Sequence, residues 1–186
     1  MHPAHVATFV AAGIDELRRQ VADQPRLGVR SIDLRNDVEL SVLFESSTSE
    51  TDRQQISVSA PGLPPGLAAM AVGMEVPIIG TLRVEEFILR LDFSDWDSQP
   101  PTAVLHDAND VLLPNERWPH DGGERGIVQG HPQLGPRKFF CRVGTREFHT
   151  HPQHEDTPWD ASREGTTLHG IVIGLLRDLT ERWTFR

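Results

Sequence analysis

Glu85-Glu86-Phe87-Ile88-Leu89-Arg90-Leu91-Asp92-Phe93 is the stretch on which the fold turns. Phe87, Leu89, Leu91 and Phe93 recur at every second position. A period of two sets them on one face of a strand, with charged neighbours on the other. Upstream, Val29–Leu34 and Val38–Phe44 have the same character, and Arg35-Asn36-Asp37 joins them as a hairpin. Before them, Val6, Phe9, Val10, Ile14, Leu17 and Val21 follow helical spacing, which predicts a helix over Ala4–Asp23 that Pro25 ends. The polar run Ser46–Arg53 reads as a loop, Gln55–Ala60 as a further strand and Leu67–Met74 as a short helix. The Pro-Gly-Leu-Pro-Pro of Pro61–Pro65 is incompatible with a central strand.

Downstream of the deciding strand, Ala103–Leu105 reads as one more short strand. His106 to Arg137 carries Pro114, Pro119, Pro132 and Pro136 and reads as a long irregular segment, the kind that is usually functional or mobile. Lys138–Val143 is extended. A closing helix spans about Thr166 to Trp183, with Leu168, Val172, Leu175, Leu176, Leu179 and Trp183 as its apolar stripe. Strands grouped between two helices predict an α+β fold with an antiparallel sheet, and 186 residues suit a single domain over 1–186.

The composition is that of an ordinary globular chain, with 38% hydrophobic residues and a net charge of −9. Such a charge repels a phosphate backbone, so nucleic acid is not the expected partner. No apolar run is long enough for a bilayer, and the N-terminus lacks the pattern of a signal peptide. The single cysteine cannot form an internal disulfide. The expectation is a cytoplasmic protein with no membrane partner.

That cysteine opens Cys141-Arg142-Val143-Gly144-Thr145-Arg146-Glu147-Phe148-His149-Thr150-His151, where a thiol, a carboxylate and two imidazoles fall close together. A turn at Val143-Gly144-Thr145 would set Cys141 opposite Glu147. Glu147, His149 and His151 would then share one face of a return strand. Two chemistries suit such a cluster. In the first, Cys141 is a nucleophile, an imidazole helps form its thiolate and Glu147 orients that imidazole. In the second, Cys141, Glu147, His149 and His151 hold a metal such as zinc, with the usual count of four ligands. The plainest alternative leaves Cys141 buried on the face of Phe139 and Val143, with His149, His151 and His154 solvated; for His154 the solvated-loop reading is the expectation.

From Leu91 onward the order of residues resembles a ubiquitin-conjugating enzyme. Leu91-Asp92-Phe93, Trp96, Pro100-Pro101 and Val104 are similar to that family's run from its third to its fourth strand. His131-Pro132-Gln133 resembles the His-Pro-Asn motif, with Gln133 in place of Asn. Cys141 then stands where the nucleophile does, and Trp159 and Thr167-Leu168 match later landmarks. The cysteine segment itself resembles a bacterial family described by a Cys, Glu, His, His quartet and predicted to bind metal. That family is associated with gene clusters for ubiquitin-like proteins, activating enzymes and deconjugating peptidases. The resemblance implies an N-terminal helix, a four-stranded antiparallel meander, a long active-site loop and a C-terminal helix. It implies that Cys141 carries a ubiquitin-like protein as a thioester, received from an activating, adenylating enzyme and passed to an amine of a target protein. Gln133, His149 or His151 would stabilise the oxyanion, and an imidazole near Glu147 would deprotonate the amine. That chemistry needs no cofactor, whereas the quartet implies zinc. A third possibility is a non-catalytic binder of the ubiquitin-like protein. The company of such families suggests a role in antiviral defence.

Overall fold

A computed structural model describes residues 3–49, 82–96 and 98–185. The strand at 55–60 and the helix at 67–74 expected from sequence lie outside the described residues. The chain is mixed α+β: an N-terminal helix, α1 (Pro3–Ala22), a four-stranded antiparallel sheet, a two-stranded hairpin, and a C-terminal helix. The large sheet is a meander of β1 (Val29–Arg35), β2 (Glu39–Ser49), β3 (Leu82–Asp92) and β4 (Thr102–Asp107), in that spatial order. Asn36 and Asp37 join β1 to β2 with φ of 48° and 60°. Two consecutive left-handed residues make a type I′ turn, whose twist matches the strands that it connects.

Strand alternation fixes which face is buried. Val42 lies opposite Leu89, Leu40 opposite Leu91, Phe44 opposite Phe87, and Leu89 opposite Leu105. All of these are fully or almost fully buried. They meet α1 through Val6, Val10, Ile14 and Leu17, and the C-terminal helix α3 (Leu168–Arg177) through Leu168, Val172, Leu175 and Leu176. At Gly13 the two helices leave little room for a side chain: a Cβ there would stand 3.0 Å from the Leu168 Cβ. Thr167 caps α3 by accepting the Gly170 amide at 3.1 Å.

The sequence boundaries needed three corrections. The first concerns β2, which runs through Ser46–Ser49 instead of ending before a loop. Its polar inward hydroxyls are satisfied, Ser46 donating to the Leu179 carbonyl (2.9 Å) and Thr48 to that of Arg83 (3.2 Å). A strand can therefore bury polar residues once they have partners. Second, the segment 106–137 is largely ordered. Leu113 and Trp118 enter the core, the Trp118 indole N–H donates to the Leu113 carbonyl, and β5 (Ile127–His131) pairs with β6 (Gly135–Phe140). Third, the closing helix is α-helical only to Arg177. Asp178–Arg182 is a π-helical turn, in which the Trp183 amide reaches the Asp178 carbonyl at 2.7 Å.

Among the described residues no helix is long and apolar enough to cross a membrane.

Phe87 stacks on Phe185 with centroids 4.0 Å apart and meets Phe44 at 6.0 Å, so it ties the sheet to the end of the chain. Phe87→Ala should lower the unfolding free energy by about 3–5 kcal/mol. Urea titration followed by tryptophan fluorescence measures it, and a loss below about 1 kcal/mol would contradict this packing.

Candidate functional site

Cys141 follows β6 directly. Its backbone amide donates to the Gly126 carbonyl at 2.9 Å, which keeps it aligned with the start of β5. Three residues later the chain changes from strand to helix. Gly144 takes φ +93°, where a Cβ would stand 2.8 Å from Ile171. Only glycine fits both the angle and the space. Thr145 then caps α2 (Arg146–Thr150). Its hydroxyl accepts the Phe148 amide at 3.4 Å and lies 2.9 Å from the carbonyls of Phe140 and Arg142.

This helix replaces the return strand expected from alternation. Two positions along a helix differ by about 200° in direction, so Glu147 and His149 cannot share a face. They part accordingly. The outer edge of β4 receives α2: the Arg146 amide donates to the Pro101 carbonyl (2.8 Å) and its Nε to that of Pro100 (3.2 Å). Glu147 turns into this junction and is buried. Burial pushes its carboxyl up to about 7, opposed by hydrogen bonds from its own and the Ala103 amides and by the charges of Arg146 and Arg137. One carboxyl oxygen, Oε2, has no hydrogen-bond partner. Glu147 therefore orients no imidazole.

His149 and His151 part as well, and His151 neighbours the rings of His131 at 5.6 Å and His154 at 6.0 Å. His149 Nδ1 lies 2.8 Å from the Thr157 carbonyl and must donate to it. Its Nε2 lies 3.2 Å from the Gly144 amide and must accept. Only the neutral ring with its proton on Nδ1 satisfies both. Burial lowers its pKa, opposed by the Thr157 carbonyl. His149 is thus a brace inside the turn, edge-on to Trp159 at 5.3 Å. His151 accepts the Gln153 amide at 3.3 Å and caps the short 3-10 turn Pro152–His154. His131 is buried: its Nδ1 accepts the Gln133 amide (3.1 Å) and its Nε2 donates to the Thr150 hydroxyl (3.2 Å). Burial lowers the His131 pKa, and the neighbouring His151 charge adds to it. Gln133 sits exposed in the β5–β6 turn.

The imidazole that meets the thiol is His154. Its Nε2 stands 3.2 Å from Cys141 Sγ. Its ring stacks on Phe148 at 3.9 Å and 19°, which fixes its plane. Both Cys141 and His154 are half-buried, so neither the sealed cysteine nor the solvated His154 expected as alternatives is what the fold builds. Burial pushes the Cys141 thiol up from its ordinary value. The resting pair is therefore a neutral thiol beside an imidazole, not a preformed thiolate.

Neither a protein-family model nor a curated protein matches this chain.

The quartet Cys141, Glu147, His149 and His151 does not fit a metal in this arrangement. Glu147 is spent on the β4 edge and both ring nitrogens of His149 on the backbone. Among the described residues no group of three His, Cys, Asp or Glu side chains is placed to hold a metal ion. Sequence reasoning missed His154 because thirteen residues separate it from Cys141. The turn at Pro152 and the face of Phe148 bring it back, and neither leaves a periodic signal.

A carboxyl whose folded pKa exceeds its unfolded value destabilises the fold as it ionises. Glu147 should thus withdraw stability as pH rises from about 4.5 to about 7, by roughly 2–3 kcal/mol. Glu147→Gln cannot ionise, so urea titrations at pH 4.5 and 8 should show the variant gaining on wild type by that amount. Parallel pH dependences would refute the buried acid.

Proposed function

We propose that Cys141 carries a ubiquitin-like protein as a thioester and passes it to an amine, on a domain of the ubiquitin-conjugating kind. The observation that carries this reading is the 3.2 Å approach of His154 Nε2 to a half-exposed Cys141 Sγ. The order of elements supports it: an N-terminal helix, a four-stranded meander, a cysteine at the end of an extended segment, then helices. The ordered residues Leu91-Asp92-Phe93, Trp96, Pro100-Pro101, His131-Pro132, Trp159 and Thr167-Leu168 resemble that family's landmarks. Trp96 and Trp159 meet edge to face at 5.2 Å, which joins two of those landmarks in one aromatic cluster.

The chemistry follows from a protonated thiol beside an imidazole. The donor is the thioester that an adenylating enzyme forms with the C-terminal glycine of the ubiquitin-like protein. As Cys141 attacks its carbonyl carbon, the thiol proton passes to His154 Nε2, and the activating enzyme's thiolate departs. A raised thiol pKa lowers the resting thiolate fraction but makes the thiolate that forms a stronger nucleophile. In the second transfer an amine attacks the carbonyl carbon of the Cys141 thioester, His154 takes its proton, and the C–S bond breaks to release the Cys141 thiolate. The exposed Gln133 is the amide that the resemblance assigns to the oxyanion. The acidic surface suits a basic activating enzyme or a basic ubiquitin-like partner.

The test is a purified reaction of the chain with its activating enzyme, the ubiquitin-like protein and ATP. Wild type should form an adduct that reductant removes, and Cys141→Ala should form none. His154→Gln should load about 10²-fold more slowly, the usual range for losing a general base. An adduct that persists in Cys141→Ala, or resists reductant, would overturn the carrier role.

A further inference from the structure

A carrier's thioester has to outlast the wait for its acceptor, and this site sets a base beside the bond to be preserved. His154 Nε2 lies 3.2 Å from the sulfur. Its approach is set by the Phe148 stack, not by a partner that would come and go with the acyl group. Cys141 and His154 are both half-exposed, so water reaches the pair. Glu147 is committed to the β4 edge and His149 to Thr157 and Gly144, while His151 uses its Nδ1 on the Gln153 amide. His131 is bonded at both ring nitrogens.

We infer that the site has a second, hydrolytic activity, in which His154 activates water to release the acyl group from Cys141 unless an acceptor takes it first. The inference rests on the reading of Cys141 as an acyl carrier and deepens it. The water oxygen attacks the thioester carbonyl carbon while one of its protons passes to His154 Nε2. The tetrahedral intermediate collapses with cleavage of the C–S bond, and His154 returns that proton to the departing Cys141 thiolate. The products are a free thiol and a carboxylic acid, and no oxidant, metal or nucleotide is consumed. An acceptor bound over His154 would exclude water and direct the same acyl group to itself. The substrate class is therefore the thioester of a small or flexible acyl chain, one that leaves the imidazole open to solvent.

A simple acyl donor tests this without any partner protein. Wild-type chain is treated with p-nitrophenyl acetate, freed of excess reagent, and followed by intact mass. One acetyl group, absent in Cys141→Ala, should appear on the protein and then disappear. In His154→Gln the acetyl-Cys141 adduct should outlive that of wild type by at least about tenfold, and loss from wild type should be slower in heavy water. Phe148→Leu keeps the imidazole but removes its stacking surface and should give an intermediate lifetime. Equal lifetimes in wild type and His154→Gln would overturn the inference while leaving the carrier role standing. Failure of wild type to acetylate at Cys141 would overturn it too. A short-lived acetyl adduct with no adduct from the activating enzyme would sink the carrier role alone.

Discussion

The change from strand to helix just after Cys141 governs the rest of the site. Phe140 ends β6 in the core, and by Arg146 the chain is helical. The turn between them is held from three directions. Thr145 ties the helix start to the strand end, Gly144 slips under Ile171 where no side chain fits, and the neutral His149 ring clamps the Gly144 amide to the Thr157 carbonyl. Cys141 is thereby fixed at a strand end with its amide bonded to Gly126. A fixed strand end positions a nucleophile better than a free loop does.

That turn is also braced by buried charge. Arg142, next to Cys141, places Nε 2.9 Å from Asp178, and Arg182 reaches the same carboxylate at 3.0 Å. Asp178 is only 1% exposed. Its burial raises the carboxyl pKa, and the two guanidinium groups oppose that. A buried carboxylate between two arginines adds little net stability over an apolar replacement, but removing one partner leaves an uncompensated charge. Its effect is positional: it joins the residue after Cys141 to the π-helical end of the closing helix. Glu147, on α2, shows the opposite case, a carboxyl buried at a strand edge with one oxygen unbonded.

Much of the fold was legible in the sequence, and the legible parts share a property. Phe87, Leu89 and Leu91 alternate, and Val10, Ile14 and Leu17 recur at helical spacing, because each face meets one continuous core. The Asn36-Asp37 turn was legible because those residues tolerate left-handed angles. The segment 106–137 was not. Its order comes from Trp118, which sits 4.9 Å from Phe140, and from pairing between β5 and β6, contacts with no local period. In the site, Cys141 stood out by its chemistry. The shared face expected of Glu147 and His149 did not form, because strand spacing was applied to residues that fold as a helix.

Composition and periodicity by themselves determined the class of fold, the buried faces of the main strands and helices, and the position of the single thiol. These follow from solvent sorting each side chain by polarity, which acts locally. Only the tertiary structure decided which imidazole meets that thiol. His149 lies closer along the chain than His154, yet its nitrogens are consumed by the Gly144 amide and the Thr157 carbonyl. His154 arrives through the turn at Pro152 and the face of Phe148. Backbone groups inside a tight turn need partners, the nearest histidine supplies them, and a more distant one reaches the sulfur.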